Sequence, residues 1–475
     1  MWLVRALALF IVIEWAESAS DDQPSIIIVG SGPAGIAAAT KLLQNNFNNI
    51  KILEAENRIG GRINSVKFGD AFVDLGAEFC HGEENNIVFS MVENLKILQH
   101  SKNDGRVFIS NGTQMKDDDA EKLIGFADSL FADETPAEGC ENSISVGECL
   151  DIRVKNISEN LAGAKDWATT YLCAYDSPFD LHDLKITSAY QMNKGDLRMH
   201  WNGRGYKTIL DVMMQKYPNN YAQLPIDSKI LLNTSVTAIS NWTSSVTVTT
   251  AKGTTFKADH VIFTPSVGVL KATHGEMFHP ALPQKKVLAI EQTGFGAILK
   301  VILRFPSRWW NVDFLSFVWT PQDKEALVQK NLTWLICLGS LAQAENNPKV
   351  LIAWYAGKCI PQMERLSEEA IRDGHRYIIT KFLASHFDVS MPVEMIKSSW
   401  LSNPNFRGTY SYESTESGKG LPRQLGAPLV DENGKPKVLF AGEATHPYYF
   451  STVHGAIESG YREAERLIQL YQTNV

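Results

Sequence analysis

A short apolar strand followed by a glycine-rich turn lies near the start of the chain, and it constrains the fold more than any other feature. Residues 26–35 read Ile-Ile-Ile-Val-Gly-Ser-Gly-Pro-Ala-Gly, and residues 50–54 read Ile-Lys-Ile-Leu-Glu. The pattern is strand, G-x-G-x-x-G, helix, and a second strand ending in an acid. It predicts an α/β, Rossmann-like dinucleotide-binding domain in which Glu54 holds the adenosine ribose through its hydroxyls.

The glycines of this turn have separate roles. Gly30 permits the tight strand-to-helix turn, Gly32 allows the backbone to approach a pyrophosphate, and Gly35 allows the helix to pack closely on the strand. Ala34 lies in the first helical turn, where free N–H groups and the helix dipole favour phosphate.

A second glycine pair follows the ribose acid. Residues 57–62 read Asn-Arg-Ile-Gly-Gly-Arg, and residues 73–79 read Val-Asp-Leu-Gly-Ala-Glu-Phe. A second close backbone approach at Gly61 suits a cofactor larger than a nicotinamide dinucleotide. Arg62 carries a planar guanidinium that can neutralise the pyrophosphate, and the alternative is a solvated loop charge.

Composition excludes several classes of protein. The chain has 475 residues, of which 44% are hydrophobic and 21% charged, as in ordinary globular proteins. A net charge of −8 argues against a nucleic-acid surface and is compatible with a cationic substrate. No C-x-x-C motif or histidine cluster indicates a metal site. Nothing in the sequence specifies the oligomeric state.

The N-terminus has the pattern of a secretory signal peptide, which we place at residues 1–18. Arg5 precedes an apolar run over residues 6–13, and Ala16-Glu17-Ser18 forms a small-residue cleavage region. The run is too short to span a bilayer, and no later segment reads as a membrane span. We therefore expect a secreted protein.

Sequons and cysteines agree with export. Five N-x-S/T sequons predict N-linked glycans, at Asn111, Asn156, Asn233, Asn241 and Asn331. Six cysteines fit an oxidising compartment. Cys140 and Cys149 flank a short polar loop and are predicted to pair, whereas Cys80, Cys173, Cys337 and Cys359 are either free or paired.

Local patterns give a coarse map of the remaining elements. We predict a surface loop over 101–120, mostly helix over 121–220, and strands within 229–250, 259–264, 297–305 and 333–355. Near the C-terminus, residues 438–460 read Val-Leu-Phe-Ala-Gly-Glu-Ala-Thr-His-Pro-Tyr-Tyr-Phe-Ser-Thr-Val-His-Gly-Ala-Ile-Glu-Ser-Gly. An apolar strand there ends in Gly442-Glu443, and a helix begins at about Val453.

Together these motifs resemble the flavin-containing amine oxidase family over essentially the whole mature chain, and most closely its polyamine oxidase branch. The resemblance implies non-covalent FAD in a discontinuous domain formed by residues 24–105, 225–290 and 425–475. Residues 106–224 and 291–424 would form an α+β substrate-binding domain with a mixed sheet. Besides the residues above, the predicted cofactor contacts are Gly76, Ala77, Glu78, Phe79, Val236, Trp400, Gly442, Glu443, Thr452 and Val453.

The C-terminal helix and two side chains carry the implied chemistry. The helix N-terminus faces the flavin C2=O, with Gly455 and Gly460 allowing a close approach. Lys300, within an apolar strand, matches the family lysine that contacts flavin N5 through a water; the alternative is a strand-edge lysine reaching solvent. His81 matches a histidine beside the substrate, which would bind the amine or take part in its deprotonation.

Further residues are predicted to form the substrate pocket. Tyr410 matches one wall of the aromatic cage that guides the amine, and Thr452 stands at the opposite wall. Thr409 occupies the position of the cysteine that bonds the flavin in monoamine oxidases, which predicts non-covalent FAD. The remaining pocket candidates are Glu83, Glu84, Asp176 and Phe450.

The resemblance implies oxidation of a polyamine (spermine, spermidine or an N-acetylated form) by hydride transfer to flavin N5. The imine would be hydrolysed to an aldehyde and a shorter amine, and O2 would be reduced to H2O2. The alternatives are a secreted L-amino-acid oxidase, for which no arginine clamp for a carboxylate is evident, and a catalytically silent secreted flavoprotein.

Overall fold

The computed structural model describes residues 23–102, 104–130, 135–156 and 163–472. The signal peptide predicted at 1–18 lies outside the described residues. Within the described ranges the helices are α1 (Pro33–Gln44), α2 (Ile87–Val92), α3 (Asp117–Asp128), α4 (Val146–Arg153), α5 (Ala164–Asp176), α6 (Thr208–Met213), α7 (Val267–Met277), α8 (Gln284–Gln292), α9 (Pro321–Gln329), α10 (Ile360–Met363), α11 (Glu368–Ile378), α12 (Leu421–Gly426) and α13 (Val453–Gln472).

The strands form two large sheets and three smaller ones. In chain order they are β1 (Ile26–Val29), β2 (Ile50–Leu53), β3 (Ser65–Phe68), β4 (Ala71–Asp74), β5 (Gly105–Ile109), β6 (Thr113–Gln114), β7 (Ile230–Leu231), β8 (Val236–Ser240), β9 (Val246–Thr250), β10 (Thr255–Ala258), β11 (His260–Phe263), β12 (Phe278–His279), β13 (Thr293–Phe295), β14 (Leu299–Arg304), β15 (Phe314–Val318), β16 (Leu338–Gln343), β17 (Val350–Tyr355), β18 (Glu394–Lys397), β19 (Ser411–Glu413), β20 (Leu429–Val430) and β21 (Pro436–Phe440).

The first large sheet has the strand order β20-β21-β11-β1-β2-β7 and is parallel except at β20. Its central strand β1 pairs with β11 and β2, so that Ile28 lies between Ile262 and Ile52. All four β1 residues are buried, as expected of a central parallel strand covered on both faces. Helices α1 and α13 pack against each other and share one hydrophobic core with β1 and β2.

The second large sheet has the order β18-β14-β17-β16-β15-β5-β6 and is mixed, because β15 and β5 run parallel while its other pairs are antiparallel. In the pairing of β14 with β17, Lys300 lies directly opposite Trp354. A separate hydrophobic core joins this sheet to α11 and to the π-helical turn after it, Ile379–Leu383, through residues such as Leu303, Ile371 and Phe382. The predicted strands within 229–250, 259–264 and 297–305 are observed.

The predicted surface loop over 101–120 was wrong. This segment contains β5, β6 and the start of α3, because Val107 and Phe108 are buried when β5 pairs with β15. The acidic run Asp117-Asp118-Asp119 forms the first turn of α3, where negative charge complements the helix dipole. Gly105, which we assigned to the cofactor domain, begins β5 and so belongs to the second sheet.

Two other predicted segments needed correction. Of the region 121–220, predicted to be mostly helical, residues 177–207 contain no helix and are held by isolated bridges such as Ser145 to Lys185. Within 333–355 the first five residues, Thr333–Cys337, form a 3-10 helix before β16 and β17. In the described part of the chain, no helix combines the length and apolar character needed to cross a bilayer.

The structure resolves the pairing of the cysteines. Cys140 and Cys149 form the predicted disulfide, and Cys337 forms a second one with Cys359. Cys80 and Cys173 are free thiols, and both are fully buried.

Candidate active site

A cavity of about 1840 Å³ is lined by residues of both large sheets. Pockets for one small ligand are typically about 300–1,000 Å³, so this space accommodates a large cofactor together with a substrate. The turn after β1 lies at one part of its wall, and Lys300 and Trp354 of the second sheet lie at another. The site is therefore built where the two sheets meet.

The glycine-rich turn forms an open backbone cradle in the cavity wall. Gly30 has a φ of +99°, and a Cβ there would lie 2.5 Å from Thr264 Oγ1. Gly32 caps α1 and faces Gly61, where a Cβ would lie 3.2 Å from the Gly32 Cα. Gly35 does not line the cavity, since it packs against the Gly30 carbonyl, 2.0 Å from where its Cβ would be. This is the helix-to-strand contact that the motif requires.

Glu54 is fixed at the end of β2. One carboxylate oxygen accepts hydrogen bonds from the Ser31 N–H (2.7 Å) and hydroxyl (2.6 Å), and the other accepts from the Glu56 N–H (2.8 Å). Its side chain is buried yet borders the cavity. An acid held in this way is suited to accept hydrogen bonds from ribose hydroxyls.

Arg62 lines the cavity, but its charge is already partly matched. Its Nη1 donates to Glu443 Oε1 at 2.8 Å and to the Thr409 carbonyl at 2.7 Å. Glu443 is buried and also accepts hydrogen bonds from the Ser411 hydroxyl and the Ser451 N–H. The pair ties three distant segments together, and the pyrophosphate contact of Arg62 remains a prediction.

The residues present fit FAD. Around the glycine cradle, the cavity wall includes Ala34, Glu54, Val236, Thr264, Trp400, Gly442 and Val453, and toward Lys300 it includes Gly76, Ala77, Glu78 and Phe79. Trp400 is fixed by an Nε1–H bond to the Leu75 carbonyl (2.8 Å). Exposed backbone, a ribose acid and an arginine match the phosphates and ribose of a dinucleotide.

Lys300 is buried on β14, and its ammonium points to protein acceptors. Nζ donates to the carbonyls of Asp74 (2.9 Å) and Gly76 (2.8 Å) and to Glu78 Oε2 (2.5 Å). It also lies 4.1 Å from the centre of the Trp354 ring. All three N–H groups of the Lys300 ammonium therefore have acceptors, which explains how this lysine tolerates burial in an apolar strand.

His81 lines the cavity as a neutral acceptor. Its Nδ1 lies 2.6 Å from the Leu197 carbonyl, and a carbonyl only accepts, so Nδ1 carries the hydrogen and Nε2 the lone pair. Burial lowers the pKa of His81, with the Leu197 bond opposing this. A neutral imidazole of this tautomer can accept an N–H from an amine.

Tyr410 and Asp176 lie together on the cavity wall. The Tyr410 hydroxyl donates to the Ala174 carbonyl at 2.7 Å, and the Ser177 hydroxyl donates to the Tyr410 carbonyl at 3.0 Å. Asp176 is the last residue of α5, and within the described residues its carboxyl group has no hydrogen bond or ion pair. Burial, with a smaller effect of Glu413, raises the pKa of Asp176 to about 7.

Thr452 both lines the cavity and caps α13, because its hydroxyl accepts the Gly455 N–H at 3.0 Å. We predicted that Gly455 and Gly460 of α13 allow a close approach to the cofactor, but neither of them lines the cavity. A Cβ on Gly455 would lie 1.9 Å from the Tyr449 carbonyl, and one on Gly460 would lie 2.2 Å from the Ala34 carbonyl. They permit packing against the chain itself, including α1.

Three predicted pocket residues do not line the cavity. Glu83 accepts the Asp196 N–H at 2.7 Å and so fixes a neighbouring loop. Glu84 lies at the surface near Lys194, with 63% of its side chain exposed. Phe450 is buried against Tyr190, which itself borders the cavity.

Several wall residues were missed by the sequence reasoning. Trp354 covers the Lys300 ammonium and stacks with Phe79 at 6.0 Å between ring centres. Trp167 and Tyr171 of α5 stack at 5.0 Å along another part of the wall. In the sequence, each of these aromatic residues has the spacing of an ordinary core residue. Only the packing of segments distant in sequence shows that it lines the cavity.

Comparisons with known proteins identify the family of this chain. Residues 33–468 match the family described as flavin containing amine oxidoreductase. "Probable polyamine oxidase 5" of Arabidopsis thaliana is 29% identical, over 94% of this chain and 99% of that protein. The "Peroxisomal N(1)-acetyl-spermine/spermidine oxidase" of Homo sapiens is 29% identical, over 95% and 96%. A solved double mutant of putrescine oxidase, redesigned in its cofactor binding, has a TM-score of 0.68 at 17% identity and covers 94% of this chain and 99% of its own.

The structural likeness confirms the predicted α/β architecture, a Rossmann-like part joined to a part with a mixed sheet. The sequence match extends over nearly the whole chain and agrees with the cradle that fits FAD. The chain therefore belongs to the flavin containing amine oxidoreductase family and is an FAD-dependent amine oxidase.

Proposed function

We propose that the chain is a secreted polyamine oxidase that converts a polyamine to an aldehyde and a shorter amine and releases H2O2. The observation that carries the substrate class is the unpaired carboxyl of Asp176 in the cavity wall. The cavity wall as a whole also has more acidic than basic residues: its acids include Asp104, Asp117, Glu121, Asp128, Asp176 and Asp196, and its bases include Arg106 and Arg198. Such a surface favours a chain with several ammonium groups.

Aromatic residues accompany these acids. Tyr171 and Tyr175 of α5 line the cavity, and the Tyr171 hydroxyl donates to Asp128 at 2.8 Å. Cations are attracted to aromatic faces as well as to carboxylates. The names of the relatives aligned over nearly their whole length, which include polyamine oxidases, agree with this substrate class.

The oxidised nitrogen must be neutral, because a protonated amine cannot release hydride from its α-carbon. His81 is the group for this step, since its neutral ring offers a lone pair at Nε2. Tyr410 orients the amine through its ring, held by the Ala174 and Ser177 contacts. FAD, when bound, supplies the acceptor for the hydride and passes the electrons to O2. The imine left behind is hydrolysed by water.

FAD is held without a covalent bond in this proposal, because Thr409 offers no thiol and its hydroxyl lies against the Gly296 carbonyl and the Ile298 N–H. Secretion is supported by the N-terminal sequence, by two disulfides, and by exposed sequon asparagines at positions 111, 233, 241 and 331. The side chain of Asn156 lies outside the described residues.

The test is a peroxide assay on protein purified from the culture medium of a secreting cell line. Spermine, spermidine, their N-acetyl forms, a monoamine and L-leucine are compared. Peroxide from polyamines alone supports the proposal. Peroxide from leucine indicates an amino-acid oxidase, and bound FAD without peroxide from any amine indicates a silent flavoprotein. Absence of the chain from the medium would contradict secretion.

A further inference from the structure

The ammonium of Lys300 is saturated by the protein itself. A lysine ammonium has three N–H donors, and here they go to the Asp74 carbonyl, the Gly76 carbonyl and Glu78 Oε2. In this arrangement Lys300 has no N–H left for a water or any other group in the cavity. Yet Lys300 borders the cavity, so its ability to act there depends on releasing one acceptor.

Glu78 is the acceptor that can move. The other two are backbone carbonyls at and just after the end of β4, and this backbone is tightly packed. A Cβ on Gly76 would lie 1.9 Å from the Arg62 carbonyl, and the Ala77 N–H donates to the same carbonyl at 3.1 Å. Glu78 reaches Lys300 through a side chain that lines the cavity and is 14% exposed. Rotation of that side chain alone frees one N–H.

Glu78 also matches the charge of Lys300. The pair is nearly buried, with the Lys300 side chain 2% exposed, so solvent screens it little. With Glu78 ionised and Lys300 protonated, the two side chains add no net charge to this wall. Without the Glu78 carboxylate, this wall would be more positive by one charge, with Asp74 as the other carboxyl group that interacts with Lys300.

We propose that Glu78 is the positioning residue for Lys300: it holds back the third N–H and cancels the ammonium charge, so that oxidation proceeds beside a neutral pair. The inference rests on the proposed function and on the place beside the flavin that the family resemblance implies for Lys300. A positive charge at this wall favours reduced, electron-rich FAD and developing negative charge on O2. By cancelling this charge, Glu78 lowers the midpoint potential of the flavin and slows the reaction of reduced FAD with O2.

The first experiment compares holoenzymes of the wild type, Glu78→Gln and Glu78→Asp. Gln keeps an acceptor but not the charge, and Asp keeps the charge. We expect the flavin midpoint potential of Glu78→Gln to be more positive, and its second-order rate constant for O2 to rise about 3- to 10-fold, with a higher KM for the amine. Glu78→Asp should restore wild-type values for the most part.

The matched control is Glu394→Gln. Glu394 pairs at 2.6 Å with Arg304, which lies on the same strand as Lys300, but this pair is partly exposed to solvent and neither residue lines the cavity. Its potential and O2 rate constant should equal those of the wild type. If Glu78→Gln matches Glu394→Gln in both readouts, Glu78 has no such role and the proposal is overturned.

Thermal unfolding at saturating FAD tests the pair separately. Lys300→Met and Glu78→Gln each leave a nearly buried partner uncompensated. The double variant removes both partners, so its loss of melting temperature should be clearly smaller than the sum of the losses in the two single variants. Additive effects would show that the pair is not formed. Coupling without a change in potential would show that the pair does not face the flavin. Either result overturns the proposal, whereas a wild type without amine-dependent peroxide contradicts only the proposed function.

Discussion

At the scale of single residues, Asp176 is the carboxyl group whose ionisation we expect a bound substrate to change. Its pKa is raised to about 7, first by burial and then by Glu413, and the group lacks a partner within the described residues. A bound ammonium would supply that partner and lower the pKa again, since an opposite charge favours the ionised form. Substrate binding and ionisation of Asp176 are therefore linked.

This linkage predicts how the KM for a polyamine depends on pH. Below pH 7 Asp176 is protonated and neutral, and above pH 7 it is ionised, so the KM for spermidine should fall as the pH rises through about 7. Asp176→Asn should raise the KM about tenfold at pH 8, equivalent to about 1.4 kcal/mol, and remove this pH dependence. Steady-state kinetics from pH 6 to 9 measure both effects.

Asp180→Asn is the matched control. Asp180 is exposed, lies four positions along the chain, pairs with His182 and does not border the cavity. Its variant should keep the wild-type profile. A wild-type pH profile in Asp176→Asn would show that another group controls substrate affinity.

The sequence predicted which residues line the cavity better than it predicted the contacts between them. The glycines and Glu54 were found because a local motif fixes their spacing, and the structure places Gly30, Gly32 and Glu54 on the cavity wall. The contact of Lys300 with Glu78 joins positions 222 apart in sequence, and it depends on where β4 ends relative to β14. Glu83 and Glu84 were misplaced for the same reason, since the direction of a loop side chain has no local signal.

At the scale of elements, the packing of α1 on α13 positions the phosphate end of the site. Gly460 lies against the Ala34 carbonyl in the first turn of α1, one residue from the Pro33 that follows Gly32. A Cβ here would lie 2.2 Å from that oxygen and force the two helices apart. Because α13 also begins at the cavity wall with Val453, a shift between the helices would alter both ends of the cofactor site.

Gly460→Ala is therefore expected to destabilise the protein by about 1–3 kcal/mol and to weaken FAD binding. Urea unfolding and titration of FAD into apoprotein measure these effects. Gly275→Ala is the control, because Gly275 lies in α7 with open space around its would-be Cβ, and alanine favours helix by about 0.5–1 kcal/mol. Equal effects of the two substitutions would show that the helix contact does not limit stability.

Elements with strong local signals were predicted well. The apolar β1, the start of α1 and the helix beginning at Val453 follow from residues within each segment. Strand β5 was missed because its neighbour β15 begins more than 200 residues later, and its pairing buries Val107 and Phe108. The acidic run that follows was read as loop, although three acids in the first turn stabilise a helix.

At the scale of the whole molecule, two sheets built from different parts of the chain line one cavity. The cofactor sheet takes strands from three parts of the chain, including β1, β11 and β21, and the second sheet contributes Lys300 and Trp354. The fold class was accessible from sequence because the nucleotide motif and the C-terminal strand and helix mark both ends of the discontinuous domain. The shape of the shared cavity was not, since it depends on how the sheets face each other.

The state of the six cysteines links this architecture to the compartment in which the chain folds. Two disulfides join Cys140 to Cys149 and Cys337 to Cys359, and the remaining thiols of Cys80 and Cys173 are fully buried. Burial raises the pKa of Cys80 to about 12 and raises that of Cys173 further, so neither forms the reactive thiolate at pH 8. Disulfides of this kind form in oxidising compartments and are rare in the cytosol.

Titration with a thiol reagent at pH 8 should therefore detect no thiol in the native protein collected from the culture medium, two after denaturation without reductant, and six after reduction, the full number in the sequence. Cys140→Ser gives a matched control, because it frees Cys149 and should raise the denatured count to three. Four or six thiols in the unreduced, denatured secreted chain would contradict one or both disulfides. Chain expressed in the cytosol without the N-terminal signal should shift toward six, because these disulfides depend on an oxidising environment.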